Sequence, residues 1–412
     1  RHTRCSRGWS SDVCSSDLMG NICNLTQDPE DLLPYMKILI PAIKNSLFDS
    51  IPEVRASASK ALGKLSKGLG LANSIELLEW LNMNLHRKDL APSERSGAAQ
   101  GLSEVVSTHG DNFFSNQCKE IITLARSKEI GLRESYRNVM AYLPTSFSGF
   151  VDYLLVMLPI MIEGLADESE EVRKVSMRNV KICIQQYGKR ASELLCKPIL
   201  AMMFDKDSRV RMSSSILMYQ LVKEMENDII KSQPKYINMQ MKYSILSGMF
   251  ILKFDSIDKV QIQASQIWKS LVDAPVHILR MIIETLIRMV FDLIQSKHEE
   301  LQDMGLACMR GLVEKFGERI VNESLDIFES YLEQATDQHQ TSGINRVILN
   351  MAGAASHRLL LQIKTRLTAI ADPFLVNDDD EIRQYAVKVF TTLFKRLGDS
   401  NYTQNTLDVA FL

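Results

Sequence analysis

Apolar residues recur along the chain at the three- and four-residue spacing that marks one face of an α-helix. The first such face comprises Leu32, Leu33, Met36, Ile40, Ile43 and Leu47. A short polar turn follows, and then a second face at Val54, Ala58, Ala61, Leu62 and Leu65. No β-type alternation of useful length occurs, so the pattern predicts amphipathic helices that each bury one stripe.

The polar turn between two such helices recurs along the whole chain. In its strongest copies an acidic residue precedes a Val-Arg or Ile-Arg pair, and these copies open at Arg55, Arg173, Arg211 and Arg383. Weaker copies open at Arg95, Arg133, Gln261, Gln302 and Ser342. Successive openings are 40, 38, 40, 38, 50, 41, 40 and 41 residues apart. A two-helix unit of this length is typical of HEAT repeats. The sequence therefore predicts an all-α fold, a HEAT/armadillo-type α-solenoid of about nine two-helix repeats.

A glycine stands fifteen residues after five of the openings, at Gly70, Gly110, Gly188, Gly317 and Gly398. Glycine accepts the left-handed backbone conformation that commonly follows the last residue of a helix. We therefore expect the second helix of these repeats, helix B, to end at the glycine.

The ends of the array are set by where the helical period starts and stops. Residues 1–18 lack that period and resemble translated sequencing-adapter sequence, so we predict a non-native or disordered leader. Residues 19–412 are predicted to form one continuous repeat array, truncated at both ends. The long spacing after Arg211 predicts an exposed loop at residues 226–235, which contains Asn227, Ser232 and Pro234.

The repeated turns carry paired charges that could be taken for a catalytic or phosphate-binding site. An active site is needed once, whereas this pattern recurs, so a structural role is the better interpretation. We expect the acidic residue to cap helix B and the arginine to bond the acidic residue of an adjacent repeat. This inter-repeat ladder comprises Asp49, Arg55, Asp167, Arg173, Asp205, Arg211 and Arg383.

Basic residues also recur on the polar face of helix B, five and twelve residues after the openings. This candidate strip comprises Lys60, Lys67, Arg178, Lys223, Lys388 and Lys395. Helix B lines the concave side of a solenoid, so the strip could contact a partner or track phosphates. Plain solvated surface is the alternative. No interleaved aromatic residues are expected beside the strip.

Composition excludes several classes of protein. The net charge of −2 argues against a strongly basic nucleic-acid-binding domain. Seven cysteines without a CxxC pair indicate scattered reduced thiols, and no apolar run is long enough to span a membrane. No nucleotide-binding loop, metal-ligand motif or nucleophile motif is present. We therefore expect no enzyme activity, no cofactor, no metal, no membrane and no small-molecule substrate.

Six segments carry a family resemblance. They are DLLPY (31–35), IPEVRASASKALG (51–63), ERSGAAQGLSEV (94–105), YLP (142–144), QASQIWK (263–269) and GLVEKFG (311–317). Together they resemble the general-control translational activator family. The third of these is the most specific match. The resemblance runs from about residue 19 to about residue 317, and this region of the family is similar to the HEAT portion of fungal elongation factor three.

The resemblance implies a non-catalytic cytoplasmic scaffold that binds ribosomes, stalled or collided ones in particular. It also implies support for the starvation-sensing kinase of initiation factor two. Expected partners are therefore the ribosome, that protein kinase and other translation-control proteins, with the kinase contact outside this segment. Another HEAT scaffold, such as a nuclear-transport carrier or a phosphatase scaffold, is the alternative. A carrier would be more acidic and richer in tryptophan, and residues 19–412 hold only Trp80 and Trp268.

Overall fold

A computed structural model describes residues 33–231, 233–334 and 338–398, and within them every regular element is a helix. The predicted leader, residues 1–18, lies outside the described residues. The chain divides into two compact units, with the boundary between Leu195 and Cys196. The helices that begin in the first unit are α1 (Met36–Leu47), α2 (Pro52–His86), α3 (Pro92–Val106), α4 (Asp111–Ala125), α5 (Ile130–Ser146), α6 (Leu154–Glu163), α7 (Glu170–Tyr187) and α8 (Ser192–Met202).

The second unit continues with nine further helices in its described residues. They are α9 (Ser208–Glu224), α10 (Met239–Ile251), α11 (Asp258–Leu271), α12 (Pro275–Ile294), α13 (Glu299–Phe316), α14 (Glu318–Gln334), α15 (Gln338–Ala354), α16 (His357–Ala371) and α17 (Asp380–Leu397). Short 3₁₀ turns extend several of the first helices of the repeats, the A helices, as at Gly164–Ala166 and Asp372–Val376.

Helix α2 is two helices joined at Gly70, whose φ of 74° breaks the helical run. Counting α2 as two, the described helices form nine A–B pairs. Each opening residue predicted from the sequence lies in or next to the first turn of the B helix of one pair. The predicted all-α solenoid of about nine two-helix repeats is therefore confirmed.

The apolar stripes meet between helices within each unit. In the first unit α2 packs on α3, α3 on α5 and α5 on α7, so successive B helices form a continuous layer. In the second unit α15 packs on α17 in the same way, and α13 packs on both α12 and α15. Stripe residues such as Ile43, Leu62 and Leu65 are fully buried. Burial of such side chains contributes about 1.5–3 kcal/mol each.

Four of the five glycines at the ends of B helices adopt positive φ, with Gly110 at 82°, Gly317 at 57° and Gly398 at 68° beside Gly70. Gly188 differs, since its φ of −52° is helical. Its N–H bonds the Ile184 carbonyl, and the next turn is closed by bonds to the Tyr187 carbonyl rather than by a left-handed residue. The expected left-handed ending therefore does not apply to Gly188.

Residues 225–238 connect α9 to α10. Glu226 and Asn227 have φ values of 56° and 54°, and a 3₁₀ turn follows at Asp228–Ile230. Within that turn Ile229 is fully buried. Lys242, itself only 1% exposed, donates from Nζ to the Lys231 carbonyl at 2.6 Å. The segment is thus anchored at both a buried apolar side chain and a buried ammonium group.

Among the described residues, no helix is both long and apolar enough to cross a membrane. The same residues contain no group of three or more histidine, cysteine or carboxylate side chains arranged to hold a metal ion.

Candidate inter-repeat contacts and partner-binding surface

Each well-formed opening turn begins with a side-chain oxygen that accepts the N–H two residues later. Asp49 accepts from Ile51 at 2.7 Å, Asp167 from Ser169 at 2.9 Å and Asp205 from Asp207 at 2.8 Å. The same bond is made by Ser127, Asp255, Ser296 and Asn377. This is an Asx- or Ser-type turn that precedes helix B. Helix capping itself falls to later residues, as where Ser169 accepts from Val172. Asp49, Asp167 and Asp205 therefore shape the turn, whereas Asp207 and Asp379 cap their helices.

The arginine six residues after that position closes the same turn. Arg55 donates from Nη1 to the carbonyls of residues 49 and 50 at 2.8 and 2.9 Å. Arg173 bonds residues 167 and 168 at 2.6 and 2.8 Å, and Arg383 bonds residues 377 and 378 at 2.5 and 2.9 Å. Arg211 does the same to residues 205 and 206. One charged donor thus satisfies two carbonyls that precede the helix.

Arg133 and Arg211 each close their own opening turn and also reach the next repeat of their own unit. In the second unit Arg211 pairs with both carboxylate oxygens of Asp255, at 2.6 and 3.0 Å, and with Glu300 at 3.0 Å. The side chains of Arg211 and Asp255 are each 1% exposed. Burial alone would lower the pKa of Arg211, but bonds to Asp255 and Glu300 raise it above its usual value. Arg211 therefore links three successive repeats, through a buried bidentate pair with Asp255 and a single bond to Glu300.

The equivalent contact in the first unit joins Arg133 to Asp167. Its Nε and Nη2 donate to the two carboxylate oxygens at 2.9 and 3.1 Å. Burial would raise the pKa of Asp167, but the bonds from Arg133 and from the Ser169 N–H lower it below its usual value. Asp167 thus accepts a hydrogen bond within its own turn and also pairs with Arg133 of the preceding repeat.

Arg211 thus bonds the acidic residue of the next repeat, whereas Arg55 does not, and the ladder as a whole stays a prediction. Among the described residues, Arg55 bonds only the carbonyls of its own turn. The acidic residue in the equivalent position of the next repeat, Asp89, is instead paired with Arg87 at 2.7 Å and is 70% exposed. Arg173 and Arg383 bond their own turns, and a ladder through them stays a prediction.

Several inter-repeat contacts were not predicted. Arg95 pairs with Glu134 at 3.1 Å, and Arg346 donates to Gln302 at 2.6 Å. Arg137, only 3% exposed, donates to the Ile160 carbonyl and to Ser176. Arg95 shared the opening position, which was a usable signal, whereas no sequence feature marked Arg137 as buried.

All six residues of the candidate strip are exposed. Lys60, Lys67 and Arg178 lie in the first unit, and Lys223, Lys388 and Lys395 lie in the second. The structure brings the members of each group to B helices of their own unit, and a single continuous strip stays a prediction.

Aromatic rings lie beside three of these cations, which the sequence analysis did not expect. The guanidinium of Arg178 is 5.6 Å from the centre of the Tyr142 ring and donates to Asn138 at 2.7 Å. Lys223 lies 5.4 Å from the centre of the Tyr219 ring, and Lys388 lies 5.0 Å from that of Tyr385. Cations at such distances are attracted to the ring while their heads remain in solvent. The contact between Arg178 and Tyr142 could not be predicted from sequence spacing, because the two residues belong to different repeats.

Two family models match parts of the chain. Residues 14–75 match the model described as elongation factor 3/GNC1 HEAT repeat. Residues 173–273 match the one described as vacuolar 14 Fab1-binding region.

Curated relatives match almost the whole chain. The eIF-2-alpha kinase activator GCN1 of Dictyostelium discoideum is 30% identical over 93% of this chain. The human stalled ribosome sensor GCN1 is 28% identical over 93%, and the Saccharomyces cerevisiae eIF-2-alpha kinase activator GCN1 is 24% identical over 90%. This chain spans 15%, 15% and 14% of the lengths of these three relatives. The repeat fold, the match to the elongation factor 3/GNC1 repeat model and this shared sequence together make the chain a homologue of the HEAT-repeat proteins named GCN1.

Proposed function

We propose that the chain is a non-catalytic HEAT-repeat scaffold of translational control that acts in the cytoplasm. It binds ribosomes, stalled or collided ones in particular, and supports activation of the eIF-2-alpha kinase in amino-acid starvation. The observation that carries this proposal is the homology to GCN1 proteins over 93% of the chain. The relatives are named as an activator and a sensor, which are roles of a binding protein.

The exposed cations on the B helices are the proposed contact to the ribosome. Lysine and arginine side chains neutralise RNA phosphates and release counterions, so such contacts weaken as salt rises. The rings beside Arg178, Lys223 and Lys388 add apolar surface next to the charge. With a net charge of −2, general attraction to RNA is weak, and binding depends on these local groups.

Co-sedimentation with purified ribosomes tests the proposal. Lys60, Lys67, Arg178, Lys388 and Lys395 are all changed to glutamate, and the bound fraction is measured over a salt series. We expect binding to fall, and the salt dependence of binding to become shallower because phosphate contacts are lost. Folding should be unaffected, since all five side chains are exposed.

A matched set of five exposed cations on A helices serves as the control. It comprises Lys37, Lys119, Lys197, Arg280 and Arg358. Glutamate at these positions makes the same charge change away from the B helices. Equal loss of ribosome binding in the two variants, or no loss in either, would remove the B-helix cations from the proposal.

A further inference from the structure

The second unit contains a cavity of about 310 Å³ on its B helices. Residues from α13, α15 and α17 line it, so three successive repeats contribute to one site. The lining residues used below are Leu306, Arg310, Arg346, Leu349 and Tyr385. The inter-repeat ladder does not use these side chains, apart from the bond between Arg346 and Gln302.

The two arginines of the cavity differ in their surroundings. Arg346 is held in place because its Nη1 donates to Gln302 Oε1 at 2.6 Å and its guanidinium lies 5.7 Å from the centre of the Tyr385 ring. Arg310 is exposed, and among the described residues it has no hydrogen bond or ion pair. Neither guanidinium is neutralised by a carboxylate in this part of the chain. The cavity therefore presents positive charge with unused N–H donors.

The rest of the cavity wall is apolar. Leu306 and Leu349 line the same space as the two arginines. The preferred ligand thus combines an anion with an apolar group.

We propose that this cavity binds an acidic peptide segment of a partner protein. An aspartate or glutamate carboxylate pairs with Arg310 and the free donors of Arg346, as planar guanidinium groups favour. An adjoining leucine-sized side chain packs on Leu306 and Leu349. A cavity of this volume is at the small end of ligand sites and fits two or three residues.

Single-stranded RNA fits this cavity less well. Nucleotides are held on such surfaces by stacking on open aromatic faces. The one ring here, Tyr385, already has Arg346 at 5.7 Å and Lys388 at 5.0 Å from its centre. The proposal is separate from ribosome binding through the B-helix cations and does not depend on it.

Fluorescence polarisation with labelled short peptides tests the site on the full chain. The probes carry one aspartate or glutamate beside leucine, and matched peptides carry asparagine or glutamine instead. We expect binding of the acidic peptides alone, with Arg310→Gln weakening it about tenfold or more. A labelled oligouridylate of equal charge is the RNA probe.

Arg280→Gln is the matched control, because Arg280 is an exposed arginine on α12, the A helix of the repeat that holds Arg310. Melting temperatures of the variants check that each remains folded. The proposal is overturned by equal binding of acidic and amide peptides, or by no binding of either. Equal weakening by Arg310→Gln and Arg280→Gln, or tighter binding of the oligouridylate that depends on Arg310, would also overturn it.

Discussion

At the scale of single residues, Arg211 is a buried charge whose stability depends on its ion-pair partners. It is the largest fully buried side chain among the described residues, and its charge is balanced only by Asp255 and Glu300. Sequence spacing marked Arg211 as a ladder residue. It could not show the burial, which depends on how closely α9 and α11 pack.

Arg211→Ala is therefore expected to lower the free energy of unfolding by about 3–5 kcal/mol, since it leaves the Asp255 carboxylate buried without its cation. Arg55→Ala removes only bonds within its own turn and leaves no buried carboxylate unpaired, so it is expected to cost about 1–3 kcal/mol. Urea unfolding of both variants measures the difference. Equal losses would show that the buried pair contributes no more than a turn bond, and Asp255→Ala added to Arg211→Ala is expected to recover part of the loss.

His109 makes stability depend on pH in the first unit. Its Nε2 lies 2.7 Å from Ser66 Oγ, and burial lowers its pKa below the usual value. Below about pH 6.5 the unfolded chain binds a proton that the folded imidazole resists. Stability is therefore full above that pH and is lost as pH falls toward the folded pKa.

Urea unfolding at pH 7.5, 6.5 and 5.5 is expected to give decreasing stability, and His109→Gln is expected to flatten the decrease. Glutamine keeps a hydrogen-bonding side chain near Ser66 but does not titrate. A decrease of the same size in the variant would assign the pH dependence to other groups.

At the scale of the helices, the spacing between an A helix and the B helix of the next repeat is set by a small residue. A Cβ on Gly97 of α3 would lie 1.8 Å from the Leu47 carbonyl oxygen at the end of α1. Gly97 belongs to the segment at 94–105 that most specifically resembled the activator family. The sequence thus marked the residue, but only the packed helices show that a backbone oxygen occupies the space a side chain would need.

Gly97→Ala is expected to destabilise the first unit by about 1–3 kcal/mol or more, since backbone must move to admit the methyl group. Gly131→Ala is the control, because nothing lies within 4 Å of its Cβ position and alanine favours a helix by up to about 1 kcal/mol. Thermal melts distinguish the two. A melting temperature of Gly97→Ala at or above that of the unchanged chain would contradict the close approach.

The existence and order of the helices were predictable because each repeat carries the same apolar period and turn. The ends of the helices were less predictable, as Gly188 shows. The local sequence there allows either a left-handed residue or a continued helical turn. The cavity at Arg310 was not predictable. Its lining residues lie on three helices separated by about forty residues each, and none of them forms a motif within its own repeat.

At the scale of the whole molecule, stability in repeat arrays is a sum of local terms, since each repeat contacts its neighbours and not a shared centre. Contacts in this chain follow that rule within each of the two compact units. The loss of stability caused by a packing change in one repeat should therefore reach only the adjacent repeats. A globular domain with one core would respond throughout.

Amide hydrogen exchange measured by mass spectrometry tests this locality with two glycine substitutions. Gly97→Ala is expected to accelerate exchange in α1–α5 while peptides of α12–α17 keep their protection. Gly305→Ala, whose Cβ would lie 2.8 Å from Ile294 Cγ1 and 3.1 Å from the Val290 carbonyl oxygen, is expected to accelerate exchange in α10–α15 while peptides of α1–α5 keep their protection. Each variant is thus the control for the other, since both add one methyl group to a B helix. Faster exchange throughout the chain in either variant would mean that the two units unfold together, and the array would then behave as one cooperative body despite its repeated contacts.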